Sequence, residues 1–68
     1  MTGREVLRIL RRRGCEVVRQ HGSHVRVRCG DCQTTVPVHA GEDVALGTLR
    51  AIARELEPCI GKGWLSKA

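Results

Sequence analysis

The stretch His24-Val25-Arg26-Val27-Arg28-Cys29-Gly30-Asp31 decides the fold. Its alternation places Val25, Val27 and Cys29 on one face of a strand and His24, Arg26 and Arg28 on the other. Gly30-Asp31 is a two-residue loop of the kind that matches the twist of a hairpin, so the chain turns back on itself. Residues 33–39 read as the returning strand, with Val36 and Val38 facing one way and Thr35, Pro37 and His39 the other. Pro37 has no N–H to give to a ladder, which puts this strand at a sheet edge or ends it there. Upstream, the Val-rich residues 15–20 form a further strand, closed by a turn at His21-Gly22-Ser23. The three strands make an antiparallel meander with one apolar face and one basic, histidine-bearing face.

Helices flank the meander on both sides. Thr2-Gly3-Arg4-Glu5 has the form of a capping box. Val6, Leu7, Ile9 and Leu10 form an apolar stripe behind it, and Gly14 is placed to end the helix. A first helix is therefore predicted over residues 4–13. Leu49, Ile52, Ala53 and Leu56 repeat at amphipathic spacing in a second helix, whose start lies near Asp43 or Gly47. Glu57-Pro58 is predicted to close it, because the residue before a proline is pushed out of the helical region. Residues 59–68 read as an irregular tail, with Trp64 a candidate to pack back onto the core. The predicted architecture is α+β, a single αβββα domain over residues 1–68 with a three-stranded antiparallel sheet and both helices on its apolar face.

Sixty-eight residues leave no room for a dinucleotide-binding pair of half-domains or a barrel. The formal charge of +5 is concentrated. Residues 1–30 carry eight arginines against Glu5 and Glu16, a net +6. Residues 31–68 carry Arg50, Arg54, Lys62 and Lys67 against five carboxylates, a net −1. A polyanion is the natural partner, and the first half is where it docks. One Trp, with no Tyr or Phe, excludes modules that stack successive bases on aromatic platforms. No apolar run approaches membrane-spanning length. The start Met-Thr-Gly-Arg-Glu-Val carries no apolar leader, so a cytoplasmic protein with reduced thiols is expected.

Among groups that could do chemistry, His24 leads. An imidazole, with an unperturbed pKa of about 6.5, can take and return a proton near neutrality. Guanidinium groups on the same face can bind phosphate and offset charge on a phosphorane. These are parts for phosphodiester transesterification, in which a base removes the 2′-OH proton of RNA. A surface histidine on a basic strand could equally do no chemistry. By the same parity His39 is a possible second acid–base group, and His21 reads as a solvated turn residue. Cys29-Gly30-Asp31-Cys32 reads as two cysteines flanking a tight turn, within reach of a cross-strand disulfide if oxidised. One C-x-x-C pair at these spacings matches no zinc ribbon, so no metal is expected. No glycine-rich phosphate loop is present and no cofactor is expected.

The ordered set of a helix ending at Gly14, then Glu16-Val17-Val18-Arg19-Gln20-His21-Gly22-Ser23-His24, Val36-Pro37-Val38-His39 and Gly47-Thr48-Leu49-Arg50-Ala51-Ile52 resembles the HicA toxins of bacterial HicA–HicB toxin–antitoxin systems. The resemblance implies a double-stranded-RNA-binding-like αβββα fold and a type II toxin that acts as a metal-independent endoribonuclease on mRNA. It also implies a HicB-like antitoxin as partner. The family's catalytic histidine falls on His24, as a single general base. Arg12, Arg19, Ser23, Arg26 and Arg28 are the residues expected to hold RNA. The alternative is a non-catalytic double-stranded-RNA-binding module of the same fold.

Overall fold

The computed structural model describes residues 1–66. Its elements run α1 (Gly3–Arg12), β1 (Glu16–His21), β2 (His24–Cys29), β3 (Cys32–Pro37) and α2 (Leu46–Ile60). The strands form one antiparallel sheet in the order β1-β2-β3. This is the αβββα arrangement read from the sequence. The end of the predicted tail, residues 67 and 68, lies outside the described residues.

Local chemistry accounts for the start of α1. The Thr2 hydroxyl accepts from the Glu5 N–H at 3.2 Å, and the Glu5 carboxylate accepts from the Thr2 N–H at 2.8 Å. The second of these bonds is the main reason that the Glu5 carboxyl is held below the usual carboxylate range. Gly3 sits where α1 meets the end of β3. A Cβ there would clash with the Pro37 carbonyl oxygen and reach the Val38 Cα at 3.0 Å, so only glycine permits this approach. α2 begins instead behind Ala45, with no side-chain cap.

Both helices lie on the face carrying Val25, Val27, Cys29, Thr34 and Val36, where they bury Val6, Leu10, Ile52 and Leu56. Trp64 folds back as the sequence suggested, 1% exposed, its indole N–H donating to the Ala53 carbonyl at 3.1 Å. Thr34 is the one buried polar residue of the described core, and its hydroxyl donates to a Glu55 carboxylate oxygen at 2.7 Å. That bond removes the cost of an unpaired hydroxyl under α2. The helices cover β2 and β3 and leave β1 open, so Val17 and Val18 stand 38% and 42% exposed. Pro37 ends an edge strand, as its missing N–H requires.

Three sequence expectations are corrected. α2 does not stop at Glu57-Pro58 but continues to Ile60 with Pro58 inside it. Proline so near the end removes a single helical bond, and the last turn is held by Gly61 N–H donating to the Glu57 carbonyl and by the bond of Cys59 to Cys32. β3 ends at Pro37, so His39 lies beyond the strand, 4.0 Å from Glu42 in the following turn, where strand parity no longer assigns it a face. Finally, the four cysteines are not reduced thiols. They form Cys15–Cys29 and Cys32–Cys59.

The pairing follows from register. Glu16 opposes Arg28 and Val17 opposes Val27, but Arg19 opposes Arg26, so Val18 is an extra residue, a β-bulge. Continued one step past Glu16, the register sets Cys15 opposite Cys29 at a Cα separation of 4.4 Å. Cys32, across the turn, instead meets Cys59 on the extended last turn of α2, at 6.0 Å. Each sulfur thus has a partner other than the one across Gly30-Asp31.

Peptide mapping without reduction should return the 15–29 and 32–59 linkages; a 29–32 linkage would contradict the structure. Replacing Cys15 and Cys29 together by serine opens a loop of 14-residue separation and should lower the unfolding free energy in a urea titration by about 3 kcal/mol.

Candidate functional site

The face of the sheet turned away from the helices is built in three cross-strand rows. His21, His24 and Pro37 form the row nearest the β1–β2 turn, followed by Arg19, Arg26 and Thr35, then Glu16, Arg28 and Gln33. His21 and His24 are both exposed. They flank the two-residue loop Gly22-Ser23, in which Gly22 has φ +60°, the conformation a type II′ turn needs at its first central residue. The turn is braced from both sides. The Gln20 side-chain amide donates to the Gly22 carbonyl at 3.1 Å, and the Val38 N–H donates to the Ser23 carbonyl at 2.7 Å.

Arg26 is half-buried in the middle row. Its guanidinium donates through Nε to Gln33 Oε1 at 3.1 Å and through Nη1 to Thr35 Oγ1 at 2.9 Å. Two of its five N–H donors are spent on fixing the side chain, and the rest remain for an anion. Arg28 is paired with the Glu16 carboxylate in the outermost row. Its charge is therefore partly offset where it lies farthest from His24.

Of the residues singled out from the sequence, the fold gathers His24, Ser23, Arg19, Arg26 and Arg28 on this face or at its turn. Arg12 is elsewhere. With Arg4, Arg8 and Arg11 it lines an open groove of about 600 Å³ on the helix side of the sheet, floored by Leu7, Val25 and Val38. The chain thus carries two basic surfaces on opposite sides of β2. His21, read from the sequence as a turn residue, is in fact a strand residue directly across from His24. The signal was present: the glycine-first two-residue loop that places Cys29 opposite Cys32 also occurs at Gly22-Ser23, and implies the same pairing of its flanks.

Among the described residues, no three His, Cys, Asp or Glu side chains are grouped to hold a metal ion. No helix of the described residues is long and apolar enough to cross a membrane.

The fold and site define a small basic αβββα domain that displays histidine and arginine on its uncovered sheet face. The family model described as HicA toxin of bacterial toxin–antitoxin matches residues 3–57, from the first residue of α1 into α2. The chain belongs to the HicA toxin family, and its role is that of the toxin in a toxin–antitoxin system. No curated protein and no solved structure matches it significantly.

The Glu16–Arg28 pair can be tested without knowledge of the ligand. Glu16→Gln should raise the salt concentration at which the protein elutes from heparin, because Arg28 is freed and one negative charge is lost from the basic half. Unchanged elution would mean that the outer row of this face does not meet polyanions.

Proposed function

We propose that this toxin cleaves mRNA by metal-independent transesterification, with His24 as the general base. The observation that carries this reading is the exposed His24 beside a braced turn, one cross-strand row from the fixed guanidinium of Arg26 and from Arg19. RNA brings its own nucleophile. His24 takes the 2′-OH proton, the 2′-oxygen attacks phosphorus, and the P–O5′ bond breaks to leave a 2′,3′-cyclic phosphate and a 5′-hydroxyl. Arg19 and Arg26 offset the charge gathered on the phosphorane, and Ser23 and Arg28 hold neighbouring phosphates. Arg12, with the other arginines of the helix-side groove, serves flanking stretches of the strand. Because no step requires metal, cleavage should persist in EDTA and should spare DNA, which has no 2′-OH.

His24→Ala is the decisive variant. The residue is exposed, so the protein should keep its circular dichroism spectrum and its RNA binding, while cleavage should fall by roughly a hundredfold or more. Undiminished cutting by this variant would remove the catalytic assignment and leave a module that only binds RNA.

The partner proposed is an antitoxin of the HicB type that covers the His24 face, since blocking the base silences the toxin directly. Amide hydrogen exchange of the complex should show added protection in residues 19–28. Protection confined to α2 would place the antitoxin elsewhere.

A further inference from the structure

We infer that His21 is a second catalytic residue of this site, the general acid that protonates the leaving 5′-oxygen while His24 acts as base. The inference rests on the transesterification proposed above and adds the group that this reaction lacks. An alkoxide is a poor leaving group in water, so a proton delivered to O5′ as the P–O5′ bond breaks lowers the barrier as surely as removal of the 2′-OH proton does.

The placement follows from the register. His21 and His24 are the paired residues on either side of Gly22-Ser23, so their side chains leave the same face of the sheet with Cβ atoms about 5 Å apart. Both are exposed, and the loop that joins them is held by Gln20 on one side and by Val38 on the other. In an in-line displacement the entering 2′-oxygen and leaving 5′-oxygen lie on opposite sides of phosphorus. Two hydrogen bonds of about 2.8 Å extend that line to a span that two splayed imidazoles on neighbouring strands can bracket. The next row on the same face supplies Arg19 and Arg26 to the non-bridging oxygens. His39, the other histidine, lies beyond the end of β3 near Glu42, outside the ladder that sets His21 beside His24.

The step balances. His24 gains the proton from the 2′-OH as the 2′-O–P bond forms. Protonated His21 gives its proton to O5′ as the P–O5′ bond breaks. Both imidazoles are open to solvent, which returns His24 to its neutral form and His21 to its protonated form for the next turnover.

The test separates the two histidines by the leaving group. The bond that the parent protein cuts is mapped first. A chimeric oligonucleotide carrying that bond at a single ribonucleotide is then made with either oxygen or sulfur in the 5′-bridging position. A thiolate leaves without a proton. His21→Ala should therefore be roughly a hundredfold or more slower than the parent on the oxygen substrate and within a few-fold of it on the sulfur substrate. His24→Ala should stay defective on both. His21→Gln, which keeps polarity but cannot donate an acidic proton, should follow His21→Ala. Parental rates from His21→Ala on the oxygen substrate would overturn the inference, as would equal loss on both substrates, which marks a residue that positions or folds. Neither result touches the role of His24. If the parent cuts neither substrate, or His24→Ala cuts both at full rate, the transesterification reading itself falls and takes His21 with it.

Discussion

One inserted residue, Val18, governs much of what this molecule is. In a regular strand Val17 and Arg19 would share a face. The bulge between them puts Val17 with Val27 on the helix side and Arg19 with Arg26 on the open side. The pairing of His21 with His24 is set by the two-residue loop between them, and the bulge acts at the other end of the hairpin. Towards the α1–β1 junction, it carries Cys15 inward and opposite Cys29. Were Val18 an ordinary paired residue instead of a bulge, Arg28 would oppose Val17, Cys15 would face the open side, and no bond to the buried Cys29 could form.

The same geometry explains how so short a chain holds a core. The described core has few large side chains: Trp64, Leu10, Ile52 and Leu56 dominate it, and valines, Cys15, Cys29 and Thr34 fill the rest. Small domains of this kind often need covalent help. Here both disulfides fasten to the β2–β3 turn, Cys29 to the stretch before β1 and Cys32 to the end of α2. The second bond also keeps α2 helical past Pro58, which in turn carries the chain round to where Trp64 closes the core over Ala53.

The element order, the meander, the two faces of β2 and β3, and the return of Trp64 were legible in the sequence, because each rests on a local pattern. Strand alternation, a capping box and a glycine-first loop need no knowledge of distant residues. What was not legible depended on register. A bulge has no composition signal in Val17-Val18-Arg19, so neither the cysteine pairing nor the exposure of these valines could be read. Pro58 misled because the rule against helical proline ignores a tertiary bond that holds the turn beyond it. On the open face, parity put His24 and Arg26 on the side they occupy, but it was followed too far along β3 to His39, and His21 was read into the turn although it pairs with His24. The error came from strand length, since parity has no meaning once the ladder ends at Pro37.

The division of labour between the two faces follows from these constraints. Stability resides on the helix side, where nearly all the apolar burial and both disulfides lie, so the opposite face is free to be polar and charged. β2 is shared between the two. Val25, Val27 and Cys29 alternate inward with His24, Arg26 and Arg28 outward, and the covalent anchor at Cys29 stands at the far end of the strand from His24. A central strand paired on both sides is the most constrained backbone this fold offers. The backbone of a histidine at its head can therefore be held in place while the side chain stays exposed, which suits the proposed removal of a proton from a large, flexible polyanion.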